Sequence, residues 1–235
     1  MPVIDFHSHI LPGIDDGSKD IETSVGMLEL SRGQGVDAIV ATPHFYAWRD
    51  RLDSFLTFRN LAYLDLMEEI MGADLPDIHV GAEVAFFEGI STAEDIRKLT
   101  IDGGDVMLLE MPFRPWSERD LDEVLYMAEK RQLTLIMAHI ERYMEFRGNR
   151  KYINELVQMP VYIQINAESL LDRRLRNKVI KMFERGEADL LGSDCHGLHH
   201  RVPELGPGRK VLEDMLGSSF LEAMDEKGAR LLGIS

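Results

Sequence analysis

Residues 3–17 read Val3-Ile4-Asp5-Phe6-His7-Ser8-His9-Ile10-Leu11-Pro12-Gly13-Ile14-Asp15-Asp16-Gly17. A short apolar run ends in two histidines two positions apart, and on a strand that spacing puts both imidazoles on the same side. The Pro12-Gly13 turn then brings back two aspartates. Neutral nitrogen donors paired with a hard carboxylate at a strand end suit a divalent transition metal. A lone His-x-His pair is equally what an ordinary strand end offers. The remaining chain decides between the two readings, because the fold sets which other residues gather at this end.

Working outward, apolar runs alternate with amphipathic stretches almost without interruption. Strands are expected over 3–7, 37–42, 78–83, 106–110, 133–138, 161–166 and 190–193. Helices are expected over 20–34, opened by Asp20 as N-cap, and over 53–71, 92–98, 117–131, 152–158 and 175–185, with one or two more between 204 and 232. Alternation of this kind predicts parallel strands joined by right-handed crossovers. The strands are nearly continuous apolar runs, which predicts burial on both faces. The expected fold is α/β, a closed or nearly closed (β/α) barrel, with an open doubly wound sheet as the alternative. No linker, repeat or low-complexity segment interrupts residues 1–235, which are expected to form a single domain.

The chain has 41 acidic against 26 basic residues, a net charge of −15. Such a field repels nucleic acid and anionic membrane surfaces, so neither is expected as a partner. The single cysteine, Cys195, excludes an internal disulfide and fits a reducing compartment. No apolar run reaches membrane-spanning length and no secretory signal pattern opens the chain. A cytoplasmic location is expected, without membrane insertion.

In a parallel barrel the C-terminal strand ends converge on one face. The unusual polar residues of this chain fall there. The candidates are His7, His9, Asp16, His44, Glu83, Glu110, His139, Asp194 and His196, contributed by six different strands. Five imidazoles and four carboxylates at one mouth would leave polar groups unpaired unless cations join them. Asp16 is preferred to Asp15, which reads as a turn residue bonding local backbone. Asn166, Glu168 and Ser169 follow the sixth strand. Arg142 and Arg201 lie in loops bordering the mouth, where a guanidinium can grip an oxyanion through two hydrogen bonds. Arg49 and Arg114 are weaker candidates for the same role. Other residues have plainer readings. His79 begins its strand and is structural, His199 and His200 are exposed loop residues, Cys195 is turned away from the site, and Met107, Met111 and Met137 are core.

Together these stretches resemble the polymerase-and-histidinol-phosphatase (PHP) superfamily, and within it the bacterial protein-tyrosine phosphatases of capsular and exopolysaccharide synthesis. The resemblance is carried by Ile4–Gly17, Val40–His44, Gly81–Glu83, Leu108–Pro112, Ala138–Tyr143 and Gly192–His196. It implies a distorted (β/α)7 TIM-like barrel with its active site at the C-terminal strand ends. It implies three divalent metal ions, manganese first and iron, zinc or magnesium otherwise, held by the nine residues named above. It also implies that Arg142 and Arg201 bind phosphate, with His44 and Asp194 taking part in catalysis, and that a phosphotyrosyl protein such as a bacterial tyrosine kinase is the substrate. In one departure, Ile140 stands where the family usually has proline after the fifth-strand histidine. The chemistry expected is hydrolysis of a phosphomonoester by a metal-activated hydroxide, with the arginines stabilising the phosphoryl charge. Histidinol-phosphate phosphatase is the rival enzyme of the same superfamily. A non-catalytic metal-binding scaffold is the rival of another class.

Overall fold

The computed structural model describes residues 1–234. Strand β1 (Ile4–Ser8) is buried along its whole length, and helix α1 (Ile21–Gly33) packs beside it. The α1 residues Met27 and Leu28 pack with Ile10 and Leu11, just beyond β1, and with Ile39 and Ala41. As expected, Asp20 caps that helix, its carboxylate accepting from the Thr23 N–H at 2.9 Å. Strand β2 (Ala38–Ala41) lies between β1 and β4 (Asp77–Val80), parallel to both. A second run of parallel strands comprises β3 (His44–Phe45), β5 (Glu83–Ala85), β6 (Val106–Glu110), β7 (Thr134–Met137), β8 (Tyr162–Asn166) and β9 (Leu190–Gly192), in that order. Beyond β9 the chain returns to β1: Ser8 bridges Cys195, and the Asp194 N–H donates to the His7 carbonyl at 2.7 Å. The architecture is a mixed α/β fold around a curled parallel sheet.

Both sheet faces are buried. Ile4, Ala38, Val40, Val106, Leu108, Ile136, Ala138 and Leu190 pack against one another on the inner side. Helix α8 (Ser218–Leu232) joins this cluster through Ala229, and Gly228 lets it press on Phe6, whose ring would stand 2.9 Å from an added Cβ. The outward residues Met107, Leu109, Leu135 and Met137 pack under the surrounding helices, as expected of core methionines. These helices include α2 (Leu52–Glu69), α3 (Glu118–Glu129), α4 (Asn149–Leu156), the short α5 (Glu168–Leu171), α6 (Arg176–Glu184) and α7 (Leu205–Leu216).

Two expectations change. The strand expected over 78–83 is two strands, β4 and β5, interrupted at Gly81-Ala82, and a short extra strand, β3, follows Pro43. The breaks are neighbours. Gly81 N–H bonds the Ala41 carbonyl at 2.9 Å and Glu83 N–H bonds the Pro43 carbonyl at 3.1 Å, so the sheet shifts partners on both at once. Pro43 has no N–H to continue a ladder. The helix expected over 92–98 is instead a series of 3₁₀ turns at Ile90–Thr92, Ile96–Leu99 and Ile101–Gly103. Tertiary bonds capture this backbone. Glu123 accepts from the N–H groups of Gly89 and Ser91, while Arg131 donates to the carbonyls of Ser91 and Ala93.

Arg114, a weaker anion-binding candidate, is used structurally. It forms a two-bond pair with Asp120 at 2.7 and 2.8 Å, and Asp120 also accepts from the Ser117 N–H and hydroxyl at the start of α3. Asp120→Ala removes all of these bonds at once and is expected to cost about 1–3 kcal/mol of stability. Urea denaturation of the two proteins measures it.

Candidate metal centre

β1 delivers His7 facing inward, and the extended chain carries on to His9, whose N–H bonds the Cys195 carbonyl at 3.0 Å. Their Nε2 atoms face each other at 3.2 Å. Glu83 Oε2 and Asp194 Oδ1 complete a set of four donors, separated along five measured edges by 3.2–3.5 Å. His7 Nε2, His9 Nε2 and Asp194 Oδ1 form a triangle with edges of 3.2–3.4 Å, spaced so that one point lies about 2.1 Å from all three, the distance at which imidazole nitrogen and carboxylate oxygen hold a first-row divalent metal. His7 Nδ1 is turned to Gln164 and His9 Nδ1 to Asp15, which leaves both Nε2 atoms facing this set.

The remaining candidates surround this set. His139 Nε2 lies 2.9 Å from Glu83 Oε1 and 3.5 Å from Glu110 Oε1. His44 presents Nδ1 to Glu83 Oε2 at 2.7 Å and Nε2 to Asp16 Oδ1 at 3.4 Å. His196 Nε2 is 3.7 Å from the same Asp16 oxygen, and its ring lies 3.9 Å from that of His9. Donor atoms of His9, His44 and His196 approach within 4.8 Å of one another, as do those of His44, Glu83 and Glu110. All nine residues singled out from the sequence thus meet at one mouth. His44 Nδ1 and Glu83 Oε2 stand 2.7 Å apart without the alignment of a hydrogen bond and have no other partner, and His139 Nδ1 is likewise buried without one. Buried polar atoms are rarely left so, and this donor set fits divalent cations.

Charge balance points the same way. Burial works against charge on His9, but the carboxylates around it hold it protonated well above its ordinary value. His139 is pushed up to about 10 by Glu110 and Glu83 despite its burial. Conversely, against the opposing effect of burial, the histidines hold Glu83 and Asp194 well below the usual carboxylate range. Protons on the histidines therefore supply the positive charge that bound cations would replace. His196 differs, being pushed down to about 4 by burial, His9 and Arg201, which keeps its imidazole neutral.

Asp194 separates two environments. Its Oδ1 faces His7 and His9, while Oδ2 accepts from Asn166 Nδ2 at 2.8 Å and pairs with Arg201 and, at 3.6 Å, with Arg142. Arg201 Nη1 also sits 2.9 Å from His196 Nε2. His139, Asp194 and Arg201 all have positive φ, unusual for residues with side chains. Backbone strain of this sort concentrates at functional sites. The carbonyl of left-handed His139 accepts from Arg142 N–H at 3.0 Å.

Several supporting residues escaped the sequence reading. Asp15 is more than a turn residue: besides bonding Gly17 N–H, it accepts from His9 Nδ1 at 2.7 Å and from His44 N–H at 3.0 Å. Gln164 Oε1 faces His7 Nδ1 at 3.2 Å and accepts from His139 N–H at 2.9 Å, while its amide donates to Asn166 Oδ1 at 2.9 Å. The relay runs from His7 through Gln164 and Asn166 to Asp194. Gly192 makes room for it, since an added Cβ would stand 2.5 Å from His7 Cβ and 2.8 Å from Gln164 Nε2. Glu168 is exposed and Ser169 bonds Glu141, so neither reaches the cluster. Arg49 is tied to Asp50 at 2.8 Å and lies over Tyr46. Cys195 is buried among Ile10, Leu11, Met27 and Ile39, and burial pushes its thiol far up, away from nucleophilic use. His79 bonds Asp102 at 2.6 Å, and His199 and His200 are exposed. A cleft of about 1100 Å³ meets the cluster only at His44.

The chain resembles tyrosine-protein phosphatase CpsB of Streptococcus agalactiae serotype III, with 27% identity over 89% of both chains. It is also 27% identical to tyrosine-protein phosphatase YwqE of Bacillus subtilis, over 98% of this chain and 91% of YwqE. Among solved structures it superposes on those described as YwqE from Bacillus subtilis and CpsB from Streptococcus pneumoniae, unique metal-dependent tyrosine phosphatases. The TM-score is 0.83 at 24% identity, with 99% and 96% of the two chains covered, which establishes a shared fold. The family model for capsular polysaccharide synthesis proteins CpsB/CapC matches residues 3–231, and the chain belongs to that family.

Proposed function

We propose that this chain is a metal-dependent protein-tyrosine phosphatase acting on a phosphotyrosyl protein, such as a bacterial tyrosine kinase of capsule or exopolysaccharide synthesis. One observation carries the reading. Five imidazoles and four carboxylates converge at the strand ends, with two arginines gathered on the outer oxygen of one of those carboxylates. The relatives described above are tyrosine phosphatases, and the family is the same. We read the strands as seven staves, β2 with β3 and β4 with β5 each forming one, in a distorted (β/α)7 barrel of a single domain. No helix among the described residues is long and apolar enough to cross a membrane, and the lone buried cysteine accords with a cytoplasmic setting.

His7, His9, Asp16, His44, Glu83, Glu110, His139, Asp194 and His196 would hold three divalent ions, manganese foremost. When bound, such ions supply Lewis-acid charge and a water acidic enough to attack phosphorus near neutral pH. The protein's own groups do the rest. Arg142 and Arg201 grip the phosphoryl oxygens and stabilise charge as it develops there, and Asp194 Oδ2 keeps both guanidinium groups at the mouth. His44, half-buried at the rim, is held protonated by Glu83 against the effect of burial when no cation is present. A tyrosine phenol, with a pKa of about 10, leaves with little acid assistance. Gln164 accepts from His7 Nδ1 and so leaves Nε2 as the free donor. Gln164→Leu is expected to weaken metal binding about 10- to 100-fold, as read by competition with a metal-sensitive dye.

The activity itself is tested by stripping the protein with chelator, restoring Mn²⁺, and comparing a phosphotyrosyl peptide with histidinol phosphate. Metal-dependent turnover of the peptide is expected. Preference for histidinol phosphate would move the protein to small-molecule metabolism, and metal binding without turnover of either would favour a scaffold.

A further inference from the structure

Aromatic side chains stand on two sides of the cluster, each stacked on one of its imidazoles. Tyr46 lies 5.2 Å from His44 with the ring planes 27° apart. Phe113 lies 6.0 Å from His139 at 30°. His44 and His139 face different oxygens of the same Glu83 carboxylate, so both aromatic rings border one mouth. Core packing does not account for them. Phe113 is 49% exposed although Tyr143 supports it from 4.9 Å, and Tyr46 is half-buried beside Trp48, itself 68% exposed. Each ring carries a guanidinium, Arg142 at 5.0 Å from Phe113 and Arg49 at 4.5 Å from Tyr46. An exposed aromatic ring beside a charged mouth is a surface that a ligand gains by covering.

We propose that Phe113 and Tyr46 determine specificity by holding the aryl ring of the substrate while its phosphoryl group occupies the cluster. This rests on the phosphatase reading above and adds the residues that select among phosphomonoesters. A phosphotyrosine places its ring one bond from the ester oxygen, so with the phosphoryl group in the cluster the ring lies at the mouth that both aromatic side chains border. A phosphoserine has a single carbon between backbone and oxygen and leaves both rings in water. Ring-on-ring contact adds to the burial of apolar area, so the gain goes only to the aryl ester. Arg142 contributes twice, since the ring it lies on keeps its guanidinium beside the phosphoryl oxygens.

The test is calorimetric titration of Mn²⁺-loaded protein with benzylphosphonate and ethylphosphonate, alongside kcat/KM for phosphotyrosyl and phosphoseryl peptides of one sequence. The parent is expected to prefer the aryl compound in both assays. Phe113→Ala and Tyr46→Ala are each expected to weaken benzylphosphonate about tenfold and to leave ethylphosphonate nearly unchanged, while Phe113→Tyr keeps the parental preference. A parent that prefers aryl ligands together with alanine variants that prefer them equally would overturn the inference and leave the phosphatase reading standing. A parent that binds neither phosphonate and hydrolyses neither peptide would overturn the phosphatase reading, and this inference with it.

Discussion

Glu83→Gln is expected to lower phosphotyrosyl turnover on the order of 10³-fold or more and to empty the site of metal. Glu83 is fully buried and lies between neighbours on all sides. Oε2 is 2.7 Å from His44 Nδ1 and within 3.4–3.5 Å of His7 and His9, and Oε1 is 2.9 Å from His139. Glu83 thus reaches four of the five imidazoles, so its charge bears on more than one cation position. The amide keeps the shape and one acceptor oxygen but not the negative charge that balances the cations. Elemental analysis beside the rate measurement separates the possibilities. Metal content at the parental level with the rate lost would give Glu83 a role in chemistry alone; both unchanged would remove it from the site.

Arg201→Ala is expected to lower kcat about 10²- to 10³-fold, the usual effect of removing one donor from a developing oxyanion, without loss of metal. Arg201 in this structure pairs with Asp194 Oδ2 and contacts His196 Nε2. Its guanidinium thus leans on a nitrogen that a cation would take, and removing it frees that nitrogen. Metal content should therefore hold or rise while the rate falls. A fall of both in step would mean that Arg201 supports the metal site and does not act on the phosphoryl group. Arg142, which is 44% exposed on its side chain and farther from Asp194, should behave alike with a smaller effect.

Much of this site is legible in the chain because parallel strands buried on both faces read as apolar runs, and the residue ending each run stands out by its polarity. His7, His44, Glu83, Glu110, His139 and Asp194 are visible for that reason. The need for one ligand favours Asp16 over Asp15, and Asp16 lies beside His44 and His196. The orienting groups are not visible in the same way. Gln164 sits inside an apolar strand with no local pattern to mark it, and its bonds to His7 and His139 join residues 157 and 25 positions away. Asp15 reads as a turn residue because its bond to Gly17 is local, whereas its bond to His44 depends on the fold.

Element boundaries fail where tertiary bonds outweigh local preference. Residues 92–98 read as a helix, yet Glu123 and Arg131 take up the backbone groups of Ser91 and Ala93 at its start and leave only 3₁₀ turns. The split of the third strand follows from its neighbour. Pro43 interrupts one strand, and Gly81 adjusts to it across the ladder. Phe113 and Tyr46 carry no signal at all in sequence, since an aromatic residue after a strand is ordinarily core.

The central claim is that the clustered side chains hold several cations and that phosphotyrosine hydrolysis depends on them. The most direct measurement titrates chelator-stripped protein with Mn²⁺, counting bound ions per chain by elemental analysis and phosphate release at each point. The account predicts more than one ion bound per chain and turnover that rises only as the later ions bind. Full turnover from protein holding less than one ion per chain would contradict it.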